Sequence, residues 1–194
     1  MIVRNVGKVA RAALLFGFAI LLSGLAAAEV PAPQSYGAAM RWYERAAADG
    51  NVEAQYLLGL KYERGVEVPA DSGKAAHWYA RAAAQGHAEA QFRLASMYVR
   101  GDGVAADSSL AAQLYEKAAG HGLPAAQYNL GVAYLNGTGV DRDAERALAW
   151  ISIAAESNLA SAIALRDRLR QSLPPDLVEA ARRRESELRK KHAI

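Results

Sequence analysis

One column of residues comes round every 36 positions in this chain. Trp42, Trp78, Leu114 and Trp150 stand 36 apart, so all three tryptophans of the protein share it. Tyr43, Tyr79 and Tyr115 follow them, and Tyr62, Tyr98 and Tyr134 form another column. A fixed period of this size constrains the fold more than any composition does. It is the signature of a stacked-repeat solenoid, in which no unit buries its apolar face except against its neighbours. Solenoids mostly bind other macromolecules along an extended surface, so the period points to a mode of action as well as to a fold.

The other columns read as a helix pair. Ser35, Asp71, Asp107 and Asp143 recur where a helix would start, and their side-chain oxygens suit an N-cap. Ala75, Trp78, Tyr79, Ala82 and Ala83 then fall at i, i+3, i+4, i+7 and i+8, one apolar helical face. Gly50, Gly86, Gly122 and Asn158 end this first helix, since Gly and Asn both tolerate a left-handed helix end. A second helix begins two residues later, with Pro124 at its start in the third unit, where a missing N–H does no harm. Leu58, Leu94 and Leu130 continue the apolar face, and Gly65, Gly101 and Gly137 close the second helix. The tryptophan and tyrosine columns, spaced with alanines on one face, are expected to be packed core rather than an exposed stacking platform.

The pattern A-x-x-W-Y-x-x-A-A-x-x-G, followed by A-Q-x-x-L-x-x-x-Y-x-x-G-x-G-V-x-x-D, resembles the Sel1-like repeat family, a relative of the tetratricopeptide repeat. It is carried by AAHWYARAAAQGHAEAQFRLASMYVRGDGVAAD in the second unit and AAQLYEKAAGHGLPAAQYNLGVAYLNGTGVDRD in the third. The resemblance covers about residues 35–171. Glu67 stands where later units have Gly103 and Gly139. Arg166 and Arg170 replace the Leu and Tyr of the fourth unit's second helix, which marks that unit as terminal. The resemblance implies an all-α, right-handed α-solenoid of about four Sel1-like helix-turn-helix repeats. Pro174-Pro175 stops the last repeat helix, and residues 172–194 read as a C-terminal capping helix, with Leu177, Ala181 and Leu188 placed to dock.

The chain opens on a different pattern. Arg4, Lys8 and Arg11 precede the apolar run Ala12–Leu25, and Ala26-Ala27-Ala28 forms a small-residue cleavage site before Glu29. Residues 1–28 therefore read as a cleaved signal peptide, and 29–34 as a short linker. The run is shorter than the ~20 apolar residues of a spanning helix, so no stable membrane insertion is expected after cleavage. Three of the 23 basic residues lie in the leader, which leaves 20 against 20 acidic ones. That neutral balance argues against a nucleic-acid footprint. The chain has no cysteine, so neither a disulfide nor a thiol nucleophile is available.

The resemblance also raises an enzyme reading, because some cysteine-rich relatives are associated with β-lactam binding or hydrolysis. The sequence gives it no support. No serine is followed three residues later by the lysine of a penicillin-recognising site. His77, His87, His121 and His192 occupy unrelated repeat positions without ligand spacing, so no metal or other cofactor is expected. The Gly101–Gly103 and Gly137–Gly139 pairs lie between helices, not after a strand, and read as loop glycines. What varies between units is a polar stripe on the first helices: Arg41, Arg45 and Asp49, then His77, Arg81 and Gln85, then Gln113, Lys117 and His121. The resemblance implies that the first helices line the concave surface. Arg41, Arg45, His77, Arg81, Gln113 and Lys117 are therefore the candidate partner-binding residues. Trp42, Trp78, Trp150, Tyr62, Tyr98, Tyr134, Gly86, Gly101, Gly122 and Gly137 are the structural positions. The expected role is an exported, non-enzymatic module for an unidentified protein partner, periplasmic or secreted. The alternatives are a cell-wall or β-lactam ligand-binding protein or enzyme, and a secreted effector that contacts a host protein.

Overall fold

The computed structural model of the protein describes residues 36–194. The expected signal peptide, the expected linker and Ser35 lie outside the described residues. Four helix pairs follow one another: α1 (Tyr36–Ala48) with α2 (Val52–Arg64), α3 (Ser72–Ala84) with α4 (Ala88–Arg100), α5 (Ser108–Gly120) with α6 (Pro124–Asn136), and α7 (Ala144–Glu156) with α8 (Ala160–Ser172). All eight are 13 residues long, and a ninth, α9 (Pro175–His192), has 18. Among the described residues there is no strand. Every second helix packs against its own partner, and α2, α4 and α6 also pack against the first helix of the next unit, so these residues form an α-solenoid.

The repeat columns account for this regularity. Asp71, Asp107 and Asp143 accept hydrogen bonds at 2.9 Å from the backbone N–H groups of Lys74, of Ser109 and Leu110, and of Arg146. These bonds satisfy donors that a helix start leaves without partners. A further column does the same for the helix ends. Gln55, Gln91 and Gln127 are buried, and each donates from Nε2 to a carbonyl near the end of the preceding helix: Ala47 at 3.0 Å, Ala83 at 3.1 Å and Ala119 at 3.3 Å. Asn158 takes the left-handed conformation expected of it, at φ 57°.

The loops between units are held by close approach. A Cβ on Gly103 would lie 2.3 Å from the backbone of Ser72, and one on Gly139 would lie 1.9 Å from the carbonyl oxygen of Ser108. Both glycines are left-handed, at φ 70° and 74°. Glu67 adopts the same conformation at φ 68°, so the first loop keeps the fold of the others at the cost of a strained non-glycine residue. Its carboxylate pairs with Lys61, whose ammonium also sits over the Tyr43 ring.

The core follows the small and aliphatic columns. Ala75, Ala111 and Ala147 are buried, as are Leu58, Leu94 and Leu130, and Tyr79 is wholly enclosed. The tryptophan column departs from the expected core. Trp150 is buried, Trp78 is half-buried and Trp42 is 41% exposed. Tyr134 is buried, while Tyr62 and Tyr98 are half-buried. The reason is the width of the apolar stripe. Trp and Tyr at consecutive positions point about 100° apart on a helix, and the Tyr side faces the core while the Trp side lies at its edge.

The last helix does not add a fifth unit. It turns back and lies mainly on α7. Ala181 is buried in a cluster with Leu148, Ile151 and Leu169, and Leu188 and Ile194 join the cluster that contains Trp150 and Ile153. Arg184 donates to Glu145 at 3.0 Å, and Arg189 pairs with Glu156 at 2.7 Å. Among the described residues no helix is long and apolar enough to cross a membrane.

Candidate functional surface

The varying stripe lies along one face of the first helices. Arg41 and Arg45 on α1, His77 on α3, and Gln113 and Lys117 on α5 are exposed, and Arg81 on α3 is half-buried. Stripe residues of the second unit reach groups of the first unit outside its stripe. The Arg81 guanidinium reaches the Ala48 carbonyl at the end of α1, at 3.5 Å, and lies 5.1 Å from the centre of the Trp78 ring. A cation over an indole face is held by the ring's electron density, so Trp78 helps to fix the Arg81 guanidinium. His77 meets Trp78 edge-on at 5.2 Å. Gln85 donates to the Gly50 carbonyl at 3.1 Å and to Gln55 Oε1 at 2.8 Å. Arg81 and Gln85 thus tie the second unit's stripe to the end of α1 and to α2.

In the third unit the stripe meets α9. Gln113, Glu116, Lys117, Gly120, His121 and His192 line a cavity of about 340 Å³. The His192 ring packs 5.8 Å from Trp150. A Cβ on Gly120 would come within 2.7 Å of His192 Nδ1, although the same column holds Ala48 and Ala84 in the earlier units. Burial there and the charge of Lys191 hold the His192 imidazole below its ordinary value, with Glu116 acting in the opposite sense and His121 in the same one.

The fourth unit carries the most informative substitutions. The column Arg45, Arg81, Lys117 continues as Ile153, and the column Arg41, His77, Gln113 continues as Ala149. Both are buried. Polar residues give way to apolar ones where a helix lands on the stripe. In the fourth unit this face of the repeat carries α9. The signal was present in the sequence as a break in two columns, and its meaning depends on knowing where α9 returns.

The remaining polar groups are structural. His87 accepts from the Ala90 N–H at the start of α4, stacks on Tyr56 at 4.4 Å and sits 3.3 Å from Glu53. The Tyr79 hydroxyl donates to Glu63 at 2.5 Å, and Glu63 also pairs with Arg93. Burial, followed by this carboxylate, pushes the Tyr79 phenol well above its ordinary value. Among the described residues no three His, Cys, Asp or Glu side chains are grouped so as to hold a metal ion.

Comparison with known proteins agrees with this architecture. The Sel1 repeat profile matches residues 19–51, 52–87, 88–123 and 124–159. The first match begins inside the apolar run Ala12–Leu25. Similar solved structures include a protective antigen of uropathogenic Escherichia coli strains that displays an SLR fold. It is 39% identical, with a TM-score of 0.64 over 66% of this chain and 27% of its own. Another is a Sel1 repeat protein from Oxalobacter formigenes, 34% identical, with a TM-score of 0.66 over 70% of this chain and 40% of its own. The chain thus spans well under half the length of these two relatives. No curated protein matches the sequence.

Proposed function

Because the chain belongs to the Sel1 repeat family, whose members generally serve as protein–protein interaction scaffolds, we propose that it is an exported, non-enzymatic interaction module of the bacterial cell envelope. The stripe on α1, α3 and α5 is its binding surface. The observation that carries this reading is the seat of α9 on the equivalent face of α7, where Ile153 and Ala149 stand in for the stripe residues. The basic row Arg45, Arg81 and Lys117 suits a carboxylate-bearing segment, since guanidinium groups grip carboxylates through paired hydrogen bonds. Export is supported by the succession of basic, apolar and small-residue zones before Glu29.

One experiment addresses both parts. Tagged protein is recovered from the periplasmic fraction after cross-linking in cells, its N-terminus is sequenced and its cross-linked partners are identified. The N-terminus should read from Glu29, and Arg45→Glu, Arg81→Glu and Lys117→Glu together should abolish partner capture with helicity unchanged. An intact Met1 in the membrane pellet would overturn export. The same partners on the triple variant would move the binding surface elsewhere.

A further inference from the structure

We infer that the ligand of this surface is an acidic amphipathic α-helix seated across α3 and α5, on the face that α9 occupies one unit further on. The inference rests on the reading of the stripe as a binding surface and adds the conformation and charge of what binds there.

The conformation follows from α9. It is a helix, and it meets α7 through residues at helical spacing: Ala181, Arg184, Leu188 and His192 lie at i, i+3, i+7 and i+11. Apolar contacts run down the middle, and Arg184–Glu145 and Arg189–Glu156 flank them. The face beside it carries small residues at the positions a second helix would cross. On α3 the positions around His77 and Arg81 are Gly73, Ala80 and Ala84, and small residues let helix axes approach to about 8–10 Å. Trp78 and Leu114, both half-buried and packed against core clusters, leave partly exposed apolar surface in the column where Trp150 lies beneath α9.

The charge is reversed relative to α9. The acids Glu145 and Glu156 that receive its arginines correspond to Gly73 and Ala84 on α3, and to Ser109 and Gly120 on α5. In the central column, Ile153 corresponds to Arg81 and Lys117. Glu116 is the one acid on the face of these two helices, beside Lys117. A basic helix, including α9 of a second copy, would meet Arg81 and Lys117 with almost no acids to pair. An acidic helix would place carboxylates on both.

The test uses three acetylated, fluorescently labelled 18-residue peptides against the full chain, read by anisotropy. The first has Leu at i, i+3, i+4, i+7 spacing with Glu on the flanks. The second is the same with two central residues replaced by Pro, and the third has Lys for Glu. The Glu peptide should bind saturably. Binding should fall about tenfold or more with Arg81→Glu plus Lys117→Glu, the loss of about one charge-assisted contact, and by a similar factor in the Pro peptide. The Lys peptide should not bind. The milder pair Arg81→Gln and Lys117→Gln, with circular dichroism, separates lost contact from lost fold. If the Pro peptide binds the native chain as tightly and the variant loses both, the ligand is extended; the helix inference falls and the binding surface stands. If the Glu peptide fails to bind, or ignores the variants, the surface itself is misplaced. Equal binding of the Lys peptide would overturn the charge argument.

Discussion

Trp78 and Tyr79 are neighbours in sequence with opposite duties. Both belong to columns that recur every 36 residues, and both fall on the apolar stripe of α3. Tyr79 is wholly buried, and its hydroxyl donates to Glu63; Trp78 is half-buried beneath the Arg81 guanidinium. Removing the Tyr79 ring therefore leaves a cavity and takes one of two partners from Glu63, for an expected loss of about 3–5 kcal/mol on Tyr79→Ala. Trp78→Ala strips a half-buried ring that packs on the first unit's core but retains solvent contact, and should cost less, about 1–2 kcal/mol. Chemical denaturation of the two variants checks the order, and a larger loss for Trp78→Ala would place the core on the wrong side of the helix. At this scale the sequence was legible where chemistry is local. The Asp caps and the left-handed Asn158 follow from backbone hydrogen bonding and φ alone. It was not legible which of two adjacent aromatic columns faces inward. Periodicity says that positions are equivalent, and says nothing of which neighbouring helix covers them.

Among the elements, α9 is the one whose placement the repeat does not dictate. Its helical start after Pro174 and the docking of Ala181 follow from proline chemistry and apolar spacing. Its return onto α7 is a long-range event. Its traces are Ala149, Ile153 and Gly120, each a departure from its column. The far end of α9 is fixed by His192, packed between Trp150 and Gly120 and facing Glu116 and Lys117 of α5, His121 just after it and Lys191 of its own helix. Its imidazole titrates below its ordinary value of 6.5 in the folded chain. The unfolded chain then binds more protons in the interval below 6.5, so this group's contribution to stability is present above that pH and is lost as pH falls through the interval. His192→Phe keeps a ring against Trp150 and removes the titration. Its melting temperature should therefore fall less than that of the native chain between about pH 7.5 and about pH 5. Parallel curves for the two proteins would show that His192 does not charge on unfolding.

For the whole molecule, stacking makes stability nearly one-dimensional. Each unit is held by its neighbours, and a terminal unit has only one neighbour unless something covers its free side. In this chain α9 covers the last first-helix instead of the free end. The fourth unit needs that cover because its first helix is apolar on both sides: Leu148 and Ile151 face one way, and Trp150 and Ile153 the other. Its second helix offers little in return, with Arg166 and Arg170 where Leu and Tyr stand elsewhere. A chain ending at Leu173 should accordingly lose order from that end inward. Hydrogen exchange is expected to accelerate strongly in α7 and α8, while α3 and α4 keep most of their protection, because their contacts run to α2 and α5 and not to α9. Leu188 and Ile194 are half-buried there, so each contributes less than the ~1.5–3 kcal/mol of a fully buried aliphatic side chain, and about 1.4 kcal/mol between them shifts a local opening equilibrium tenfold. Mass-resolved exchange on the shortened and full chains distinguishes the possibilities. Uniform acceleration would mean that the units unfold as one cooperative block. Unchanged protection in α7 would mean that α9 rests on the solenoid without holding it, and that the face beneath it is available to a partner along its whole length.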